Sequence, residues 1–174
     1  MHIKSVTIAI LTLLFCACTD DVNFSTNKVL FEVHHLNYAW GYINTGTMID
    51  SAGYVYTFDI SKIDASWKTA DKNDEISETD MKNNLKLCSK TKNQISADSL
   101  NHFSALIVKA SQGSLTEPQT IMADAGTTIY AAYIFNNATG QYKKVLLYQW
   151  GDIQIKNTSP EATEIADWLM RLSH

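Results

Sequence analysis

The chain has 174 residues, of which 45% are hydrophobic and 18% are charged, and its formal net charge is −4. This length suits one ordinary domain with a sizeable core, and the composition is that of a globular chain and not of a disordered one. A mildly acidic protein without a basic cluster lacks the electrostatic footprint of a nucleic-acid-binding protein, so we expect no nucleic-acid partner.

The N-terminal segment has the organisation of an export signal. Lys4 precedes an apolar run from Val6 to Phe15, and Ala17 and Cys18 follow. The run is too short to cross a bilayer core of about 30 Å, which takes roughly 20 helical residues. A charged start and an apolar centre are typical of a secretory signal. An ordinary secretory signal and an uncleaved apolar anchor are the alternatives.

The same segment resembles the signals of bacterial lipoproteins, in which an aliphatic residue, a small residue and Gly or Ala precede a Cys that receives diacylglycerol. Here the residues are Phe15, Cys16, Ala17 and Cys18, and Phe15 departs from the aliphatic pattern. The resemblance implies that residues 1–17 are removed and that Cys18 carries the lipid that holds the protein in a membrane. Residues 18–27 are then a lipidated tether, and residues 28–174 are the single globular domain.

Two acidic residues follow the lipidated position. Asp20 and Asp21, after Thr19, are similar to the surface-export signal of Bacteroidetes lipoproteins. The resemblance implies anchoring in the outer membrane with display on the cell surface, and a protein facing the periplasm is the alternative.

Strand signals dominate residues 28–61. A β-branched and aromatic run at 29–35 predicts a first strand. Two further runs, 37–50 and 54–61, are joined by a segment ending in Gly53 that suits a type I turn, so they predict a β-hairpin. Because every second side chain of a strand lies on the same face, each run has one aromatic face. These faces are Tyr38, Trp40 and Tyr42 in the first run, and Tyr54, Tyr56 and Phe58 in the second.

Helices are predicted in the middle of the chain. Residues 62–77 form a polar loop with Trp67 as its large apolar side chain, and Ser77 or Thr79 is an N-cap candidate. A first helix follows from the helical spacing of Met81, Leu85 and Cys88. A second spans 97–111 after Ser96, and its predicted buried stripe is Leu100, Phe103, Ile107 and Ala110.

The last third returns to strands and ends in a helix. Strands are predicted at 119–124, 127–135, 142–150 and 152–156, with turn residues between them. Ser159 as N-cap and Pro160 at the first helical position make a strong helix start. The predicted buried stripe of this helix is Ala162, Ile165, Trp168 or Leu169, and Leu172.

This order of elements predicts an α+β fold in a single domain. We expect an antiparallel sheet of about five to six strands with two to three helices packed on one face. The chain also resembles small uncharacterised Bacteroidetes lipoproteins, which share its closing pattern of strand, Gly-Asp, Asn-Thr-Ser-Pro-Glu and Trp-Leu helix, here Gln149 to Leu169. That resemblance implies no activity.

The sequence contains few motifs that indicate catalysis, cofactor binding or metal binding. It has no phosphate loop, dinucleotide fingerprint, paired metal-binding His motif or nucleophile elbow, and we expect no cofactor and no metal. His34 and His35 are adjacent, so in a strand they point to opposite faces, and we expect partly exposed structural roles for them and for His102. Cys88 is the one Cys left in the mature chain, which rules out an intramolecular disulfide there, and we expect it buried on a helix.

Carboxylates provide two weak alternatives. Asp71, Asp74 and Glu75 are close in sequence but lack the glycine and terminal Glu of a calcium loop, so a solvated charge run is the better interpretation. Asp50, Asp59 and Asp152 lie near predicted strand ends, where two of them could meet as a glycosidase pair.

These observations favour a non-catalytic lipoprotein of the cell envelope, a binding or accessory subunit of a surface complex. An alternative is a glycan-binding module whose ligand site is an aromatic hairpin face of Tyr38, Trp40, Tyr42, Tyr54 and Tyr56, although core packing also explains these rings. A further alternative is a small hydrolase with unpatterned carboxylates. The expected partners are the membrane, through the lipid on Cys18, and an envelope protein or a glycan.

Overall fold

A computed structural model describes residues 27–63 and 66–172. The predicted signal, Cys18, Asp20 and Asp21 lie outside the described residues. Strands and helices follow in this order: β1 (Val29–Asn37), β2 (Ile43–Asp50), β3 (Tyr54–Asp59), β4 (Glu75–Ser77), α1 (Glu78–Lys86), β5 (Ser89–Gln94), α2 (Ala97–Ala110), β6 (Gln119–Thr120), β7 (Thr127–Asn136), β8 (Gln141–Gly151), β9 (Ile153–Lys156) and α3 (Pro160–Leu172).

All nine described strands join one sheet, and every pairing is antiparallel. Eight of them lie in the order β5-β3-β2-β1-β7-β8-β9-β6, and β4 pairs with β8. The α+β prediction of an antiparallel sheet with helices is confirmed. The prediction of five to six strands is wrong, because the sheet has additional short or polar strands that apolar periodicity does not reveal.

Two hairpins have the turns that the sequence predicts. Asp50 Oδ1 accepts hydrogen bonds from the backbone N–H groups of Ala52 and Tyr54 at 2.9 and 3.0 Å, and Gly53 adopts φ +81° between β2 and β3. Between β7 and β8, Gly140 has φ +66°. A positive φ costs glycine little, which is why these positions close the turns.

The helices begin at the predicted caps. The Ser77 hydroxyl accepts from Asp80 N at 3.0 Å, and the Ser96 hydroxyl accepts from Ser99 N at 3.3 Å. The buried residues of α2 are the four predicted ones. In α3 both Trp168 and Leu169 are buried, but Leu172 is 47% exposed because it lies in the last turn, so its prediction as a buried residue is wrong.

The helices cover both faces of the sheet. Neighbouring strand residues point to opposite faces, and Ile49 packs with α2 and α3, whereas Met48 packs in a second cluster with Met81 of α1. Trp67 also packs against this second cluster, its ring stacked 3.9 Å from that of Phe58. The prediction of helices on one face is therefore wrong, because α1 and the loop before it bury the other side.

Three segments differ from the predicted strands. β4 has only three residues, and the β5 sequence SKTKNQ is almost wholly exposed, so neither has an apolar alternation to detect. In the predicted strand 119–124, only Gln119 and Thr120 pair with a neighbour, because the chain then turns away from β9. Cys88 lies two residues after the end of α1 and is half-buried, so its predicted place on a helix is wrong.

Candidate functional site: an apolar end of the sheet

Exposed apolar side chains are concentrated at one end of the sheet. This end is where β1, β3 and β8 finish and where β2, β7 and β9 begin. Among the described residues, twelve large apolar side chains are exposed. Nine of them lie on the segments at this end, here called the apolar end: Tyr38, Trp40, Tyr42, Ile43, Ile63, Ile121, Met122, Trp150 and Ile153.

The loop between β1 and β2 carries the most exposed of these rings. Tyr38 is 72% exposed and Trp40 is 81% exposed. Asn37 organises the start of the loop, because its Oδ1 accepts from Ala39 N at 2.8 Å. The ring of Tyr38 lies 5.3 Å from that of Tyr42, centroid to centroid. The loop therefore displays aromatic rings to solvent from a hydrogen-bonded frame.

A second loop, 121–126, lies beside the first. Asn37 Nδ2 donates to Asp124 O at 3.3 Å, which joins the two loops. Asp152 fixes the second loop against the end of β8, because its Oδ1 accepts from Ala125 N at 2.8 Å and its carbonyl accepts from Ile121 N at 3.0 Å. Between the loops lies a recess of about 460 Å³ lined by Leu36, Asn37, Tyr38, Ala39, Gly126, Thr127 and Asp152.

Close backbone approach at this end requires glycine. Gly126 has φ +72°, and a Cβ there would lie 2.3 Å from Leu36 O. Gly151 has φ +135°, and a Cβ there would lie 2.0 Å from Gly126 O. Side chains at either position would push the ends of β1, β7 and β8 apart.

A buried chain of polar groups leads from the core to the aromatic loop. The Tyr133 hydroxyl donates to Glu32 Oε2, and Glu32 Oε1 lies 3.6 Å from His34 Nδ1. His34 Nε2 donates to Asn44 Oδ1 at 2.7 Å, and Asn44 Nδ2 donates to the Tyr42 hydroxyl at 2.8 Å. Hydrogen bonds thus connect His34 in the interior of the sheet to the Tyr42 ring of the apolar end, and the Glu32 carboxylate lies beside His34 without a hydrogen bond to it.

Burial controls the ionisation of this chain. It lowers the pKa of His34 below its usual value, an effect that the Glu32 carboxylate opposes. Burial and then the same carboxylate raise the pKa of Tyr133 well above 10. Glu32 and His34 are each only 3% exposed, which leaves a substrate no access to them in this conformation. The expectation of a partly exposed His34 is wrong, because Phe58 and Trp67 pack around its ring.

A row of rings crosses the adjacent sheet surface. Tyr130 on β7 faces Tyr148 on β8 with centroids 6.1 Å apart, and Trp150 continues the row at 6.3 Å from Tyr148. Beside it, His35 Nδ1 lies 2.9 Å from the Thr128 hydroxyl. A recess of about 330 Å³ on this surface is lined by Val33, His35, Thr45, Gly46, Thr47, Phe58, Thr128 and Tyr130.

The structure separates the two predicted aromatic groups. Residues 38–42 belong to a loop and not to a strand, because β1 extends to Asn37 and the connection turns at Gly41, where φ is +117°. Tyr54 and Tyr56 lie on β3, which starts at the opposite end of the sheet. Tyr56 is buried and its hydroxyl donates to Asp50 Oδ2 at 3.0 Å. Tyr54 lies under Lys90, whose Nζ is 3.0 Å from the ring centroid. One shared aromatic face does not form.

The carboxylates that the sequence suggested as catalytic or metal-binding candidates lie in separate parts of the structure. Asp50 is buried in the turn before β3, at the end of the sheet opposite to Asp59 and Asp152. Asp71 accepts backbone hydrogen bonds from Asn73 and Glu75, which lower its pKa. Within residues 27–63 and 66–172, no three His, Cys, Asp or Glu side chains are grouped closely enough to hold a metal ion.

The remaining titratable candidates have structural contacts. The Cys88 thiol donates to Asn84 O at 3.3 Å, and burial raises its pKa to about 12, so it is a poor nucleophile at neutral pH. His102 Nε2 lies 2.7 Å from Glu164 Oε1 on the surface between α2 and α3.

Sequence reasoning missed Ile121 and Met122 as exposed groups, since an apolar residue in a loop looks like part of a strand, and it missed Trp150 because the pattern of β8 does not show that this end of the strand is uncovered. It also missed Glu32, although a carboxylate inside the apolar run VLFEVHH is a signal of a buried polar contact. None of the helices in the described part of the chain is long and apolar enough to cross a membrane. The chain matches no protein-family model, no curated protein and no solved structure.

Proposed function

We propose that this chain is a non-catalytic lipoprotein of the cell envelope that binds a partner as an accessory subunit of a surface complex. The observation that carries the proposal is the aromatic loop at 38–42, with Tyr38 and Trp40 more than two-thirds exposed on a hydrogen-bonded frame. Tyr and Trp are enriched among the residues that dominate binding energy in protein interfaces. A loop that hydrogen bonds already hold in one conformation loses little further backbone freedom on binding.

The anchoring part of the proposal rests on the lipoprotein-like segment that ends at Cys18. Cys18→Ala removes the acceptor of the lipid, and we expect the variant to leave the membrane fraction. A pull-down of tagged protein in mild detergent from its native envelope is the direct test. Wild-type protein should recover one stoichiometric partner, and Cys18→Ala should recover none.

Trp40→Ala tests the loop in the same pull-down. Because Trp40 is 81% exposed, we expect its removal to leave the melting temperature within about 2 °C and to lower partner recovery at least tenfold. Val108→Ala, which truncates an exposed apolar residue on α2, is the matched control and should change neither quantity. A wild-type protein that is recovered alone would contradict the accessory role.

Glycan binding is a second candidate function, and the row of Tyr130, Tyr148 and Trp150 is the observation that favours it. Successive rings about 6 Å apart on the sheet surface could pack against the apolar faces of sugar rings. Saturable binding of a polysaccharide by the purified domain, weakened by Tyr148→Ala and not by Trp40→Ala, would favour this function over a protein partner.

A further inference from the structure

Building on the proposed function, we infer that the whole apolar end is the docking surface. Its occupant is a protein with an apolar centre and a basic rim, held on the side of the domain away from the lipid anchor. The aromatic loop is then one of four contacting segments, together with the residues after β3, the loop 121–126 and the turn between β8 and β9.

The composition of the apolar end matches a protein interface. In the described part of the chain, nine of the twelve exposed large apolar side chains lie at one end of the sheet, which is not the even scatter that is normal on soluble proteins. Tyr, Trp and Met are enriched at the centres of such interfaces. Aliphatic members such as Ile121 and Ile153 offer no ring on which a sugar could stack, so these residues favour a protein over a glycan at this end.

Hydrogen bonds join the aromatic loop, the loop 121–126 and the β8–β9 turn into one frame. The Asn37 side chain joins the aromatic loop to Asp124, and Asp152 joins the loop 121–126 to the end of β8. Asp152 N donates to Gly126 O at 2.8 Å, which closes the frame at the start of β7. A surface that is ordered before binding loses less conformational freedom in the complex, which favours affinity.

The position of the tether decides which way this surface faces. β1 starts beside Asn27, at the end of the sheet opposite to the aromatic loop. Its nine residues span about 26 Å at a strand rise of about 3.3 Å per residue. The nine Cα–Cα steps from Cys18 to Asn27 reach about 32 Å at most. The apolar end therefore reaches the membrane only if the fully extended tether runs back along the domain.

The charged residues at the apolar end indicate which charge the rim of the partner carries. Among the described residues, Asp59, Asp124 and Asp152 lie there with Lys62, so the described charged groups at these strand ends are three acidic and one basic. An acidic rim repels anionic lipid headgroups and complements Lys or Arg side chains. A second copy of the chain carries the same acidic rim and is the poorer occupant.

Site-specific photo-crosslinking in intact cells tests this inference. Met122, from a different segment than the aromatic loop, is replaced by a photoreactive phenylalanine derivative in the full-length, lipidated protein. Ala138 in the exposed turn at the opposite end is the control position. We expect one discrete protein adduct from position 122. The yield of the same adduct from position 138 should be at least tenfold lower. Adding Trp40→Ala should reduce the adduct at position 122 at least tenfold with the melting temperature unchanged.

The outcomes separate the inference from the proposed function. An adduct with the pull-down partner from position 138 and not from 122 overturns the docking surface but leaves the accessory role intact. An adduct of twice the chain's own mass shows that position 122 contacts a second copy, and an adduct with lipid shows that it contacts the membrane. Either result also overturns the inference. An adduct at 122 that Trp40→Ala leaves unchanged overturns the claim of one shared surface. No adduct and no recovered partner contradict both proposals.

Discussion

The Glu32 carboxylate lies buried without a Lys or Arg partner among its described contacts, and the Tyr133 hydroxyl donates to it. Tyr133→Phe removes the donor and leaves a buried carboxyl group with one fewer hydrogen bond. We expect the free energy of unfolding to fall by about 1.5–3 kcal/mol, measured by urea denaturation. Tyr130→Phe, on the same strand with a half-buried ring, is the control and should cost much less. Equal losses in the two variants would contradict the special role of Glu32.

His34 makes stability depend on pH. Burial lowers its pKa from 6.5, Lys144 and His35 act in the same direction, and Glu32 and Asn44 oppose them. The unfolded chain therefore takes up a proton at a higher pH than the folded one. The stabilisation is complete above the unfolded pKa and is lost as pH falls toward the lower folded pKa.

We therefore expect the free energy of unfolding to decrease from about pH 7 to pH 5, with a slope of at most about 1.4 kcal/mol per pH unit from this group. His34→Gln should flatten the curve, because the amide does not titrate. His102→Gln, whose ring is exposed and contacts Glu164, serves as the control and should leave the curve as it is. Denaturant unfolding at several pH values measures both variants, and parallel curves for wild type and His34→Gln would refute the assignment.

At the scale of elements, Asn157 joins α2, β8 and α3. Its Nδ2 donates to Ala110 O and to Leu146 O, both at 3.0 Å, and its Oδ1 accepts from Ser159 N at 3.0 Å. Asn157→Ala removes three hydrogen bonds in a buried place, so we expect a loss of about 3 kcal/mol in urea denaturation. Thr158→Ala, at the exposed next position, should stay within about 0.5 kcal/mol. A comparable loss at Thr158 would show that the backbone, and not the Asn157 side chain, links these elements.

The elements that could be predicted are those with both a periodic apolar pattern and a cap or turn residue. α2 has its four-residue stripe behind Ser96, and the β2–β3 hairpin has Gly53 in its turn. β5 could not be predicted, because a polar strand at the edge of a sheet depends on pairing with β3 and not on burial. Sequence analysis did not predict that the second face of the sheet is buried. Trp67 lies in a polar segment, and it packs on this face only through its tertiary contact with Phe58.

The candidate site was only partly predictable for a related reason. The sequence identifies Tyr38, Trp40 and Tyr42 as candidates, but the alternation of aromatic and other residues does not show where a strand ends. Here β1 ends at Asn37, and a turn at Gly41 interrupts the predicted strand. Ile121 and Trp150 join them only because Asp124 and Asp152 hold distant segments together. Such convergence depends on sheet order, which a single sequence does not specify.

For the whole molecule, the sequence around the proposed lipid anchor predicts where the domain is displayed. Replacing Asp20 and Asp21 together with Ala should leave the protein facing the periplasm, because the resemblance to a surface-export signal depends on these carboxylates. Protease added to intact cells should then digest the wild-type domain and spare the variant. Lysed cells provide the control, in which both proteins should be digested equally. Equal digestion on intact cells would contradict the export signal.

The strand β5 has a consequence for a protein anchored in this way. A lipid confines its carriers to a plane, where neighbouring copies collide far more often than they would in solution. An open strand edge would then invite copies to pair edge to edge and to polymerise along the membrane. β5 forms one edge of this sheet with Lys90 and Lys92 on an exposed, polar strand, and the other edge is divided between the two-residue β6 and the three-residue β4. If the proposed lipid anchor holds the domain in a membrane, both edges would let it crowd at high surface density without edge-to-edge pairing, and its apolar end would stay free to meet a different protein.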